Sequence, residues 1–368
     1  MLSAAHVVND WYMNYLQTIL PLLALSLGVA RASWLITAFT MTSSLVQPLF
    51  GAWLGKHTGR WPLFVGTIWM AVLLSLTGLS SLYPLSLALA SLAGLGTAVF
   101  HPAASAMVAS LGGRRKSFLQ SLFIAGGNVG WALAPLAMFP FLNRFGIGAS
   151  PWLAVPGILV SLALVLVVPK PEPTQQSVQA KDPRSITNGA PMELVKIMLI
   201  IACRSLSYFG LIAFLPLYLK TKGVPLLSGS FLLFVMLFCG AIGGIVGGWL
   251  ADGVGRKRVL VVSLASASPF FFVFSVSSGF GGMLVLGLAG ACLLASFSVT
   301  VVMAQKLITG NAALASGLAL GFGTGIGGLG VGLLGTLMGR IGVNAVIIVL
   351  MALPLLSAAM GLTLKDRG

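Results

Sequence analysis

Twelve apolar stretches, most long enough to cross a membrane, follow one another along almost the whole chain, separated by short breaks rich in Gly, Pro, Lys and Arg. They fall near residues 2–27, 33–54, 62–81, 84–109, 118–141, 151–168, 194–219, 226–250, 259–277, 281–304, 312–338 and 343–364. A helix crossing the hydrocarbon core of a bilayer needs about 20 such residues. Inside that core every backbone N–H and C=O must be satisfied by the protein itself, which leaves helices or a closed barrel. Barrel strands alternate apolar and polar residues over segments of about ten. The stretches here are longer and uniformly apolar. The predicted fold class is an all-α polytopic membrane protein with twelve transmembrane helices. Composition excludes the alternatives: only 7% of residues are charged and the mean hydropathy is +1.03, against about 25% charged in a soluble domain. A soluble enzyme, a disordered chain and a disulfide-stapled secreted module are ruled out.

One segment interrupts the pattern. Residues 169–193 carry five prolines, no aromatic residue and few aliphatics, which reads as a flexible cytoplasmic linker. It divides the stretches six and six, so the expected domains are an N-terminal six-helix bundle (1–168), the linker (169–193) and a C-terminal six-helix bundle (194–368). The two halves repeat at an offset near 195: Leu20-Pro21-Leu22 and Gly28-Val29 recur as Leu215-Pro216-Leu217 and Gly223-Val224, and Ser121, Gly126 and Gly130 recur as Ser316, Gly321 and Gly325. Duplicated six-helix units related by an axis along the membrane normal place a substrate site between them.

Charge sets the expected orientation. With twelve spans both ends lie on one side. That side, with the linker, carries fifteen of the 21 Lys and Arg residues; the other carries five, and Arg204 falls inside a span. Basic loops stay in the cytoplasm, so both termini are expected there, in the cytoplasmic (inner) membrane of a bacterium. This asymmetry accounts for the formal charge of +15 without any nucleic-acid partner. Cys203, Cys239 and Cys292 all fall inside spans and imply no disulfide framework. The first stretch lacks a basic start and contains Asp10, unlike a signal peptide.

Asp10 is the one acid well inside an apolar span. A carboxylate removed from water costs several kcal/mol unless it holds a proton or a partner, which is the property of a proton-coupling site; the alternative is a helix-capping contact. Arg204 lies one residue from the position the repeat makes equivalent to Asp10. An intramembrane Arg faces the bundle interior, and its planar fork suits phosphate-like anions; the alternative is an anchor to backbone carbonyls. His101, before Pro102, is a second candidate for proton relay or a structural partner of backbone freed by the proline. Asn9, Asn14, Gln17, Gln47, Gln120 and Asn128, with His6, are polar candidates for substrate contact or for interhelical hydrogen bonds. His6, His57 and His101 show no ligand spacing along the chain, so no metal is expected. The glycines of the eleventh stretch (Gly321, Gly323, Gly325, Gly327, Gly328, Gly330, Gly332) and Gly126, Gly127 and Gly130 of the fifth suit close, mobile helix packing. They are no nucleotide fingerprint, and no phosphate-binding loop is present.

Between stretches eight and nine, Gly248-Trp249-Leu250-Ala251-Asp252-Gly253-Val254-Gly255-Arg256-Lys257-Arg258 places an acid and three bases around a tight reversal. Such a cluster serves either as a conformational latch (Asp252, Gly248, Gly255, Arg256, Lys257) or only as a topology-setting basic loop. It resembles the signature loop of the major facilitator superfamily. The N-terminal copy carries Gly51, Lys56 and Arg60 but has Gly55 where the acid is expected.

The first half is further similar to the fosmidomycin-resistance-type efflux transporters. The resemblance rests on His6-Val7-Val8-Asn9-Asp10, Ser44-Leu45-Val46-Gln47-Pro48, Gly94-Leu95-Gly96-Thr97-Ala98-Val99-Phe100-His101-Pro102 and Gly126-Gly127-Asn128-Val129-Gly130 with Pro135. It implies proton-driven export of a small drug or metabolite by alternating access. The expected partners are a small-molecule substrate, protons and lipid; no cofactor, and a monomer, are expected. Import or facilitated diffusion of a metabolite is the competing transport reading. An intramembrane enzyme, which would need a convergent set of catalytic groups, is the remote one.

Overall fold

The structure, a computed structural model, describes residues 2–47, 49–50, 60–79, 82–111, 116–167, 191–308 and 312–365; for residues 105–106, 109–111, 116–122, 252, 305 and 312–317 it describes the backbone alone. Gly51 and Lys56, the body of the linker, and the side chains of Gln120 and Asp252 therefore lie outside the described residues.

All regular structure among the described residues is helical. The elements are α1 (Leu2–Met13), α2 (Tyr15–Leu27), α3 (Val29–Leu45), α4 (Trp61–Thr77), α5 (Tyr83–Leu111), α6 (Lys116–Phe145), a 3-10 segment (Ile147–Leu153), α7 (Ala154–Val167), α8 (Pro191–Thr221), α9 (Leu226–Val254), α10 (Arg256–Val276), α11 (Gly279–Leu307) and α12 (Ala312–Leu362). The first predicted stretch is one rod interrupted at Asn14, which separates α1 from α2. The last two are joined end to end in α12, broken at Gly342. Among the described residues eight helices are long and apolar enough to cross a membrane, and the chain is a membrane-spanning protein. Helix α8 starts at Pro191, inside the segment read as linker.

Two glycine pairs mark equivalent turns. Gly28 and Gly223 have φ of 77° and 80°, and Gly146 and Gly342 have φ of 80° and 81°. The first pair is 195 residues apart and the second 196. A side chain at these φ values is strained, which is why the chain reverses on glycine there. The turns therefore recur at the offset found in the sequence.

Packing makes two rods central. Tyr15 to Leu20 on α2 and Leu211 to Leu215 on α8 are buried on every side, the pattern of helices enclosed by others. Other helices turn apolar side chains outward, as Leu159, Leu162 and Leu166 on α7 and Val276 on α10 do, which suits contact with lipid. The main contacts between α1–α7 and α8–α12 run through α3 with α12, α6 with α9, and α2 with α8.

The α3–α12 seam is closed tightly at one end and loosely at the other. A methyl placed on Gly335, Gly332 or Gly328 would collide with the side chains of Ser33, Thr37 and Thr40, whereas at Gly321 the nearest such atom is the Ser44 carbonyl oxygen, 3.7 Å away. Thr37 Oγ1 donates to the Gly328 carbonyl at 2.6 Å, and Trp34 Nε1 donates to Thr336 Oγ1 at 3.1 Å. Gly323, Gly327 and Gly330, on the other side of α12, lie against Ser205, Phe209 and Leu206 of α8. The glycine series thus lets one helix press against two neighbours at once.

Candidate functional site

Residues four apart on a helix share a face, and α1 uses this to pair His6 with Asp10. Asp10 Oδ2 lies 3.3 Å from His6 Nε2, and Oδ1 lies 2.9 Å from Nε2 of His101 on α5. The His6 ring stacks on Phe123 at 3.9 Å between centroids and meets the His101 ring edge-on at 5.0 Å. His6 Nδ1 lies 2.6 Å from the carbonyl oxygen of Phe123. His6 and Asp10 are buried, Asp10 at 8% exposure, and His101 is half-buried. Glycines make room for it. A methyl on Gly127 of α6 would run into the Asp10 carboxylate and the His6 ring, and one on Gly130 into the backbone of Val7 and Trp11.

A carbonyl oxygen only accepts, so His6 Nδ1 carries hydrogen. Its Nε2 stands 3.3 Å from Asp10 Oδ2, an ion pair when the ring is protonated. His101 Nε2 meets the other oxygen at 2.9 Å. The group has places for one proton more than a bare carboxylate and two neutral rings hold. That proton belongs to the group as a whole. His6, Asp10 and His101 also each offer one atom to a possible metal ion, all within 4.8 Å of one another. Spacing along the sequence could not show this, because His101 comes from a different helix.

The second central rod carries Arg204. It is 3% exposed. Its Nη1 donates to Thr300 Oγ1 of α11 at 3.3 Å, and its guanidinium sits 4.5 Å above the Phe297 ring. Among the described residues no carboxylate lies within ion-pair distance of it. Tyr208 lies one turn further along α8. Its ring lies 6.2 Å from that of Trp131 on α6. Sequence reasoning passed over Tyr208 and the Arg204 partners; the repeat offered a signal, since the offset carries His101 onto Ser296, beside Phe297.

The other predicted residues separate. Asn9 Oδ1 accepts from Thr97 Oγ1 at 2.9 Å, and Asn14 Nδ2 donates to the Trp131 carbonyl at 2.9 Å. Gln17 is 1% exposed, and neither of its amide atoms has a partner among the described residues. Gln47 is half-buried just past the end of α3, and Asn128 is exposed beside Gly127. In the basic loop, Gly255 takes φ of 101° between α9 and α10, and Gly248 faces Ser298. Lys257 Nζ donates to the Leu364 carbonyl at 2.6 Å, so it ties down the C-terminal segment of its own half. Lys196 does the same at Thr363, and Glu193 accepts from the Lys365 backbone. Arg60 precedes α4 at a bend, and Arg256 opens α10.

Paired central rods, a buried acid and a buried Arg within an all-helical membrane fold define a transporter rather than an enzyme. The chain belongs to the Major Facilitator Superfamily, whose family model matches residues 2–312. It is 30% identical to the fosmidomycin resistance protein of Escherichia coli (strain K12), over 96% of this chain and 89% of that one. It is also 30% identical to the MFS-type transporter YfnC of Bacillus subtilis (strain 168), over 100% of this chain and 92% of the relative. Among solved structures it shares the fold of the nucleoside transporter NupG (TM-score 0.80, 12% identity, covering 99% of this chain and 98% of that one). A bacterial homolog of the human lysosomal transporter Spinster, in an inward-facing unoccupied conformation, matches with a TM-score of 0.76, 17% identity, 98% of this chain and 93% of that one.

Proposed function

We propose that this transporter exports a small anionic compound, of the phosphonate type, in exchange for protons. The observation that carries the reading is the Asp10 carboxylate held between His6 and His101. A carboxylate set between two imidazoles on a central rod can take up and release a proton, which suits it as a loading site for the proton that drives transport. Arg204 supplies the complementary charge on the other central rod. With Thr300 and Phe297 as its partners among the described residues, its guanidinium has donors left for an anion. The likeness to the fosmidomycin resistance protein supports export of such a compound.

In this reading the two sites alternate. The proton is bound in one conformation and the anion in the other, so the exclusion between them is conformational. The two six-helix bundles, 1–168 and 194–368, rock about the α3–α12 and α6–α9 seams. The Lys and Arg distribution supports cytoplasmic termini in a bacterial inner membrane. The seam is then closed at the outer end, near Ser33 and Gly335, and looser toward the cytoplasm.

The test is transport in proteoliposomes with fosmidomycin as probe. An imposed proton gradient should drive its accumulation against its own gradient, and a protonophore should abolish that accumulation. Accumulation indifferent to the protonophore would remove proton exchange and favour facilitated diffusion. Dialysis against a chelator separates the proton reading from a metal at His6, Asp10 and His101: antiport should survive it unchanged.

A further inference from the structure

Six of the eight buried side-chain polar atoms that lack a partner among the described residues lie between positions 9 and 18. They are Nδ2 of Asn9, Oδ1 of Asn14, the Tyr15 hydroxyl, both amide atoms of Gln17 and Oγ1 of Thr18; the remaining two belong to Ser75 and Ser298. One rod thus collects most of the unmet hydrogen-bonding capacity of the described structure. Each such atom meets no protein partner among the described residues, and native interiors leave few buried polar atoms unmatched. The concentration therefore marks something that the side chains were built to meet.

Position on the helix sorts these atoms. At about 100° per residue, Asp10, Asn14, Gln17 and Thr18 fall within an arc of about 100°, with Asn9 and Tyr15 outside it. The stripe climbs about 12 Å from Asp10 to Thr18. Its backbone is open as well. The helix is interrupted at Asn14, where the Asn14 N–H reaches the Asp10 carbonyl only at 3.3 Å. Pro21 has no N–H to give the Gln17 carbonyl. Beyond Thr18 the rod is apolar and tightly buried at Ile19, Leu20 and Leu23. The stripe is thus open to Asp10 at one end and sealed at the other.

The chemistry of the stripe points to its occupant. It offers amide and hydroxyl groups, both donors and acceptors, and no charge. An anion would want cations there, and a cation would want carboxylates. Water, which needs two to four neutral polar partners, fits. We propose that a file of internal water molecules runs along Asn14, Gln17 and Thr18 and is the route by which protons reach Asp10 from the face opposite the chain ends. The proposal rests on the proton reading of Asp10 given above. The apolar plug at Ile19 to Leu23 keeps the route closed on that side in the present conformation and must part when the α3–α12 seam opens.

Two shape-conserving variants test it: Gln17→Leu and Thr18→Val. Both should fold, since each removes unpaired polar atoms. In proteoliposomes containing a pH-sensitive dye and preloaded with fosmidomycin, proton uptake should slow about tenfold in Gln17→Leu and severalfold in Thr18→Val. Binding of fosmidomycin to the detergent-solubilised variants should stay within twofold of the parent protein. Uptake at the parent rate in both variants would overturn the proposal. So would a matching loss of fosmidomycin affinity, which would make the stripe a substrate contact. Asp10→Asn is the control that separates the two levels: if it stops uptake while Gln17→Leu does not, only the water route fails; if it leaves uptake intact, the proton site fails with it. An experimental structure that shows ordered water should place density between Asn14 Oδ1 and the Gln17 amide; a dry contact there would equally contradict the route.

Discussion

The two central rods occupy equivalent places in the repeat and solve the problem of a buried charge in opposite ways. Asp10 on the first is surrounded by partners: His6 on its own helix, His101 on α5, and behind His6 the Phe123 carbonyl. Arg204 on the second has one long hydrogen bond to Thr300 and the face of Phe297. The same pair of positions, rod against the fourth helix of its half, supplies the partner in both cases. His101 sits where the repeat puts Ser296 in the second half, on the same helix as the Phe297 and Thr300 that meet Arg204. A saturated charge holds a proton whose loss must be felt by its neighbours. An unsaturated one waits for a ligand. In the proposed reading this contrast gives the proton to the first half and the anion to the second.

The largest expected effect is on the saturated side. Asp10→Asn keeps the size and hydrogen-bonding capacity of the group but cannot exchange a proton, so proton-driven accumulation of fosmidomycin should fall at least 100-fold while the protein still folds. Arg204→Lys should come next. It retains charge but loses the planar fork and the stacking on Phe297, and about tenfold in affinity for the anion corresponds to about 1.4 kcal/mol. If affinity measured by equilibrium binding is unchanged, the guanidinium is not the anion's partner. Conversely, Arg204→Lys should leave proton binding in place, and its loss there would erase the division of labour between the rods.

Smaller effects probe the packing that carries both sites. Gly127→Ala puts a methyl against Asp10 and His6 and should lower the transport rate severalfold with little change in anion affinity. Tyr12→Phe should act on stability. The Tyr12 hydroxyl donates to the Leu153 carbonyl at 2.5 Å and accepts from the Gly157 N–H at 2.9 Å, replacing the backbone bond lost where the 3-10 segment becomes α7. Removing it leaves both groups unmatched, a loss of about 1–3 kcal/mol, visible as a lower melting temperature in detergent with anion affinity unaltered.

Much of this was legible in the sequence because membrane insertion writes itself in long apolar stretches. Helix positions follow those stretches closely, with α8 extended back to Pro191 and the last two joined through Gly342. Asp10 and Arg204 stood out because charge is rare inside a span. What joins them to their partners was less visible. His6 and Asp10 are four apart, so their pairing could be read directly, whereas His101, Phe123 and Thr300 approach only through interhelical packing that no local pattern encodes. Lys257 carries a similar lesson: a basic residue in a signature loop spends its charge on the Leu364 carbonyl, a contact between segments far apart in the chain.

The claim that the histidine–carboxylate group holds the exchanged proton is tested most directly by counting protons. In weakly buffered detergent solution with a pH indicator, saturating fosmidomycin should release about one proton per molecule of the parent protein and none from Asp10→Asn, with fosmidomycin binding verified in both. Equal release from the two proteins, or none from either despite binding, would contradict the account.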